Sequence, residues 1–180
     1  MAEIRIRNTG ERISGEENVK AFLDKQAVLY EHWDATKLPS HLHNKFVLTD
    51  EEKNEILTAF NTEIINLAGR RGYRTWDVIA LSDATPNIDE LLAKFEQVHT
   101  HSEDEVRAIA AGQGIFVIKG SEEVGYFDVE LEAGDLISVP ERIPHFFTLM
   151  DSRQIVAIRL FIETEGWIAT PYDDPDFVVA

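Results

Sequence analysis

The 180-residue chain has no cysteine, which excludes disulfides, thiolate metal sites and a cysteine nucleophile. Positive charge is in short supply: 17 Lys and Arg stand against 33 Asp and Glu, a net charge of −16. Such a surface repels nucleic acid and anionic membranes, so neither is expected as a partner. No apolar run approaches the ~20 residues needed to span a bilayer. The opening residues, Met1-Ala-Glu-Ile-Arg-Ile-Arg-Asn8, lack the apolar core and cleavage-like site of a secretory signal. A cytoplasmic protein is therefore expected. Histidine is also scarce, with six in all, so any clustering of it carries information.

What is present divides into two textures, with no linker or repeat between them, and a single domain over 1–180 is expected. Up to about residue 96, helices mix with strands. Ser14–Ala27 reads as a short helix and Val28–Trp33 as a strand. Thr49-Asp-Glu-Glu52 has the form of a capping box opening the best helix. Ile56, Leu57, Phe60, Ile64 and Leu67 make one stripe of that helix, and Gly69 is its expected stop. Trp76–Leu81 reads as a strand, and Pro86–Phe95 as a helix with a second capping box at Asn87 and Glu90. From Val98 onward short strands are separated by turn residues: Glu105–Ala111, Ile115–Lys119, Tyr126–Leu131, Leu136–Val139, Phe146–Met150 and Gln154–Ile162. Near-regular short strands predict an antiparallel barrel or jelly roll, so the fold class is mainly β with helices from the N-terminal half.

Half of the histidines fall in one composite, His99-Thr-His101-Ser-Glu-Asp-Glu105 with His145 forty residues later. On a strand His99 and His101 project to one face. Glu105 has the parity of His101, but four residues of straight strand span about 13 Å. Ser102–Asp104 must therefore turn and bring Glu105 back. Three imidazoles and a carboxylate suit a divalent transition metal, and iron, nickel, manganese and zinc all remain open. An octahedral ion would keep two positions for a small oxygen-rich ligand. Arg107 lies two residues beyond Glu105, on the same strand face, while Val106, Ala108 and Ala110 face the other way. A guanidinium there would hold an anionic ligand of the metal; the competing reading is an outward pair with Glu103. Asp104 is expected to face away or to support an imidazole. The other His-x-His pair, His41-Leu-His43, lacks a nearby carboxylate and reads as solvent-exposed, and His32 stands alone.

The spacing His99-x-His101-x-x-x-Glu105, six residues, Gly112, with Gly134, five residues, Pro140 and His145, resembles the two motifs of the cupin family, a double-stranded β-helix barrel. That family places glycine where Ala93 and Arg142 stand and asparagine where Leu149 stands, all backbone positions. Within cupins, His-Thr-His-Ser-Glu-Asp-Glu-Val-Arg107 is similar to the signature of the acireductone dioxygenases, in a bacterial-type branch. Supporting likenesses are the Ile-Pro-His-Phe-Phe stretch at His145 and the Ile-Arg-Leu-Phe strand with Trp167 beyond it. The resemblance implies His99, His101, Glu105 and His145 as ligands of one Fe2+ or Ni2+, and Arg107 on the substrate. It also implies that Phe95, Phe147 and Trp167 wall a pocket for a thioether, each with barrel packing as the competing role. The expected partners are a small-molecule acireductone and O2, and the expected state is a monomer. Two alternatives remain: a metal-dependent cupin of other chemistry, such as a sugar-phosphate isomerase, and a non-catalytic ligand-binding cupin. An isomerase of phosphosugars should gather several cations near the motifs, and only Arg107 and Arg142 lie close in sequence.

Overall fold

The computed structural model describes residues 1–163, 168–175 and 177. In chain order the elements are β1 (Glu3–Ile6), β2 (Arg12–Ile13), α1 (Glu16–Lys25), β3 (Leu29–His32), α2 (Asp50–Ala59), α3 (Asn61–Arg71), β4 (Thr75–Ser82), α4 (Ile88–Phe95), β5 (His99–Thr100), β6 (Glu105–Lys119), β7 (Tyr126–Glu132), β8 (Asp135–Val139), β9 (His145–Leu149), β10 (Gln154–Phe161) and β11 (Thr170–Pro171). All strand pairings are antiparallel. One layer runs β11-β5-β9-β6-β7-β1-β2; in the other, β10 joins β4 to β6, and β8 joins β3 to β6. This is the expected class, a mainly β cupin-type barrel with helices.

Strand β6 belongs to both layers. Its first half pairs with β8 and β10, and its second half with β7 and β9. The expected break between Ala111 and Ile115 is instead a bend inside one continuous strand. Gly112 sits there at φ 78, where a Cβ would lie 2.2 Å from the carbonyl oxygen of Gln154. Only glycine allows the strand to turn this corner so close to its neighbour.

Strand parity separates two apolar clusters. Ile109, Ile137, Val139, Ile155 and Ala157 face the barrel interior with Phe116, Phe127 and Phe147. Val106, Ala108, Ala110, Leu136, Val156 and Ile158 face outward, and Ile56, Phe60, Ile64 and Leu67 of α2 and α3 cover them. The capping box is formed in full: Thr49 Oγ1 accepts the Glu52 amide at 3.2 Å and the Glu52 carboxylate accepts the Thr49 amide at 2.9 Å. Two expectations about helix ends are corrected. The helix is interrupted at Phe60, then continues through Gly69 and stops at Gly72, whose φ of 81 gives the left-handed C-cap. Asn87 precedes α4 in a left-handed conformation without a side-chain cap, because capping geometry needs an extended backbone there.

Candidate metal centre

Each donor reaches the barrel interior by a different device. His99 on β5 and His145 on β9 are direct cross-strand partners, and His145 also lies opposite Ile118 of β6. The chain bends at Ser102 and Glu103, so Glu105 opens β6 beside His101 rather than a strand length away. The ligand atoms of His99, His101, Glu105 and His145 all lie within 4.8 Å of one another. Among the described residues this is the only such grouping of three or more donors. His41 is exposed and paired with Glu55 at 2.8 Å, and His32 and His43 are exposed, so the second His-x-His pair builds no site.

The imidazoles are oriented by the backbone. Nδ1 of His99 donates to the Gln97 carbonyl at 2.6 Å, and Nδ1 of His145 donates to that of Ile143 at 2.8 Å. A carbonyl only accepts, so these contacts fix the proton on Nδ1 and leave Nε2 as the ligating nitrogen. The Glu105 carboxylate divides its two oxygens. Oε2 lies 2.6 Å from His145 Nε2 and 3.1 Å from His101 Nε2, whereas Oε1 accepts from Arg107 Nε and Nη2 at 3.1 and 3.0 Å. Neighbouring donors of an octahedral ion with bonds of about 2.1 Å stand about 3.0 Å apart; the 3.1 Å between Oε2 and His101 Nε2 is close to that, and the 2.6 Å to His145 Nε2 is a hydrogen-bond distance. His101 Nδ1 is buried without a partner among the described residues, so this ring, unlike the other two, is not oriented by a backbone carbonyl. The donor set therefore fits a divalent transition metal.

Electrostatics agree with that reading. Burial lowers His99 to about 4, helped by the neighbouring His145, so its imidazole is neutral and ready to ligate at physiological pH. Burial opposes the Glu105 charge, but His145, Arg107 and His101 together hold its carboxyl well below the ordinary range. Arg107 is buried, and its guanidinium stands 5.1 to 5.8 Å from the rings of Phe147, Phe116 and Phe95. Its side chain faces the donors, as parity predicted. Glu103 instead accepts the amides of Ile162 and Glu163, so the outward Arg107 pair is not formed.

His99, His101, Glu105 and Arg107 line a cavity of about 170 Å³ with Phe95, Phe147, Leu160 and Phe161 as apolar walls. It is smaller than the usual range for drug-sized ligands and suits a small molecule. Phe95 and Phe147 meet edge to face at 6.3 Å. Trp167 lies outside the described residues. The sequence reading missed Lys94 and Arg159, which also line the cavity. Arg159 lies opposite Arg107 in the β10–β6 register and is held by Asp77 at 2.8 and 2.6 Å; its place on the strand facing Arg107 was the available signal. Arg142, the other cation near the motifs, is not in the cavity. It adopts φ 63, the left-handed turn that the glycine of the cupin pattern provides, and its amide donates to the His101 carbonyl at 2.8 Å. The bond before Pro144 is trans.

An antiparallel cupin barrel with three imidazoles and one carboxylate converging beside a small apolar cavity defines a metal-binding cupin. Residues 4–169 match the ARD/ARD′ family, and the chain belongs to that family. It is 69% identical over 179 residues to the acireductone dioxygenase of Geobacillus kaustophilus, covering 99% of both chains. The acireductone dioxygenase of Geobacillus thermodenitrificans is 68% identical over 178 residues, again with 99% of each covered. The solved acireductone dioxygenase from Bacillus anthracis, with a cadmium ion in its active centre, superposes with a TM-score of 0.91 at 54% identity. It covers 94% of this chain and 97% of its own.

Proposed function

We propose that this protein is a metal-dependent acireductone dioxygenase of methionine salvage. It cleaves 1,2-dihydroxy-5-(methylthio)pent-1-en-3-one with O2, and the products follow the metal. With Fe2+ the products are 4-methylthio-2-oxobutanoate and formate; with Ni2+ they are 3-(methylthio)propanoate, formate and carbon monoxide. The observation that carries the reading is the convergence of His99, His101, Glu105 and His145 on one point, with Arg107 beside them in the cavity. Its support from relatives is the named activity at 69% identity over nearly the whole chain, and the cadmium ion in the Bacillus anthracis active centre.

The bound ion supplies Lewis acidity toward adjacent substrate oxygens. The chain supplies the rest. Arg107 spends its Nε and one Nη2 proton on Glu105, which leaves further N–H groups for the anionic oxygens of substrate. In this low-dielectric pocket the guanidinium stabilises an enediolate far better than water-exposed charge does. Phe95 and Phe147 offer apolar surface to the methylthio end. The phosphosugar alternative gains little from Arg159, because its guanidinium is already engaged by Asp77.

The test is anaerobic demetallation, reloading with Fe2+ or Ni2+ separately, and O2 uptake on synthetic acireductone with carbon monoxide detection. Turnover with either ion and carbon monoxide only from the nickel form is expected. Fully loaded protein that left the substrate untouched would sink the enzyme reading.

A further inference from the structure

The ligands come from two segments, 99–105 and 140–145, and something must hold these at a fixed separation. Asp104 stands where they meet. Its Oδ1 accepts the backbone amide of Glu141 at 3.1 Å, from the second segment. Its Oδ2 accepts from Arg71 Nη2 and from Tyr73 Oη, both at 3.1 Å. Arg71 is the last residue of α3, and Tyr73, itself buried, follows the Gly72 cap. Asp104 therefore ties three stretches of chain together, and the residue covalently next to it is the ligand Glu105. A second tie runs parallel to it: the Arg142 amide donates to the carbonyl of His101. Asp104 supports no imidazole: His99 and His145 are oriented by the carbonyls of Gln97 and Ile143, and His101 Nδ1 has no partner among the described residues.

We infer that Asp104 is a positioning residue for the metal centre: it clamps the two ligand segments to each other and braces both against the Arg71–Tyr73 corner. The inference rests on the metal-centre reading above. It also gives the helical half of the chain a part in the site, through the end of α3. Groups that orient ligands from behind typically change metal affinity 10- to 100-fold when lost, and a side chain that spans two ligand-bearing segments acts on all four donors.

The experiment uses full-length protein and cobalt(II) as the probe. Affinity is read by titration of its ligand-field absorption, and the stability of the metal-free protein is read by urea unfolding. Asp104→Ala should weaken cobalt binding about 10- to 100-fold and alter the absorption bands. Asp104→Asn keeps an oxygen for the Glu141 amide but loses the acceptor for Arg71, and should recover part of the affinity. Tyr73→Phe should weaken binding on its own but add nothing to Asp104→Ala, because both cut the same brace. Cobalt binding by Asp104→Ala that matches the parent protein would overturn the inference. So would a loss of affinity wholly accounted for by unfolding of the metal-free variant with unchanged bands. Failure of the parent protein to bind cobalt would instead remove the metal-centre reading, and this inference with it.

Discussion

Replacing Arg107 with methionine should separate the residue's two jobs, because they have opposite consequences for metal and for substrate. Methionine keeps the length and apolar packing of the stem but removes the charge. The guanidinium lies 3.0 Å from Glu105 Oε1, with 5% and 15% of the two side chains exposed. At an effective dielectric near 20, unit charges about 4 Å apart attract by about 4 kcal/mol. Breaking a buried pair by removing one partner costs about 3–5 kcal/mol. The imidazoles of His101 and His145 still face Oε2, so the metal-free variant should lose about 3 kcal/mol. A bound cation replaces the missing charge, so the loaded variant should lose much less. The difference must then appear as metal affinity that is tighter by about one to two decades, at 1.4 kcal/mol per decade. Turnover should move the other way, falling about 10²–10³-fold with the charge that faced the substrate anion. The measurements are urea unfolding of chelator-treated and cobalt-loaded protein, together with O2 uptake on acireductone. Metal-free stability unchanged by the substitution, or metal binding weakened by it, would refute the claim that Arg107 balances Glu105.

Acid should act on His99 before it acts on Glu105. Held at about 4, His99 stays neutral in the fold while the unfolded chain protonates it near 6.5. The unfolded state thus binds more protons between those values, and metal-free stability should fall by roughly 3 kcal/mol as pH drops from 6.5 to 4. Unfolding curves flat across that window would contradict a neutral buried imidazole. Gly114→Ala places a methyl 2.6 Å from the Phe147 ring and 2.9 Å from Ile155 Cδ1. The overpacking should cost about 1–3 kcal/mol and displace a cavity wall, which raised KM with little change in kcat would reveal. Tyr30→Phe removes the hydroxyl that donates to the fully buried Asp135 at 2.7 Å, away from the cavity. Stability should drop by about 1–3 kcal/mol, with cobalt affinity unaltered by titration.

The parts legible in the sequence are those set by neighbours along the chain. Two-residue parity was enough to put Arg107 with Glu105 and to turn Val106 and Ala108 toward the helices, because a strand alternates faces whatever it pairs with. The capping box at Thr49 was legible because both of its bonds span three residues. Apart from the Asn87 cap, lost to a left-handed backbone, the failures depend on distant partners. Gly112 reads as a break until Gln154 of β10 is seen pressed against it, which makes it the corner of one long strand. Gly69 and Gly72 are equivalent stops until the packing of Ile64 and Leu67 decides how far the helix runs. Arg159 enters the cavity through its register with Arg107, and Asp104 meets Glu141 thirty-seven residues later. Arg142 shows the same division most clearly. Its side chain lacks the freedom of the family's glycine, yet the backbone still takes the left-handed turn. That conformation costs of order 1–3 kcal/mol, and the hydrogen bond from its amide to the His101 carbonyl, across the two ligand segments, helps hold it in place.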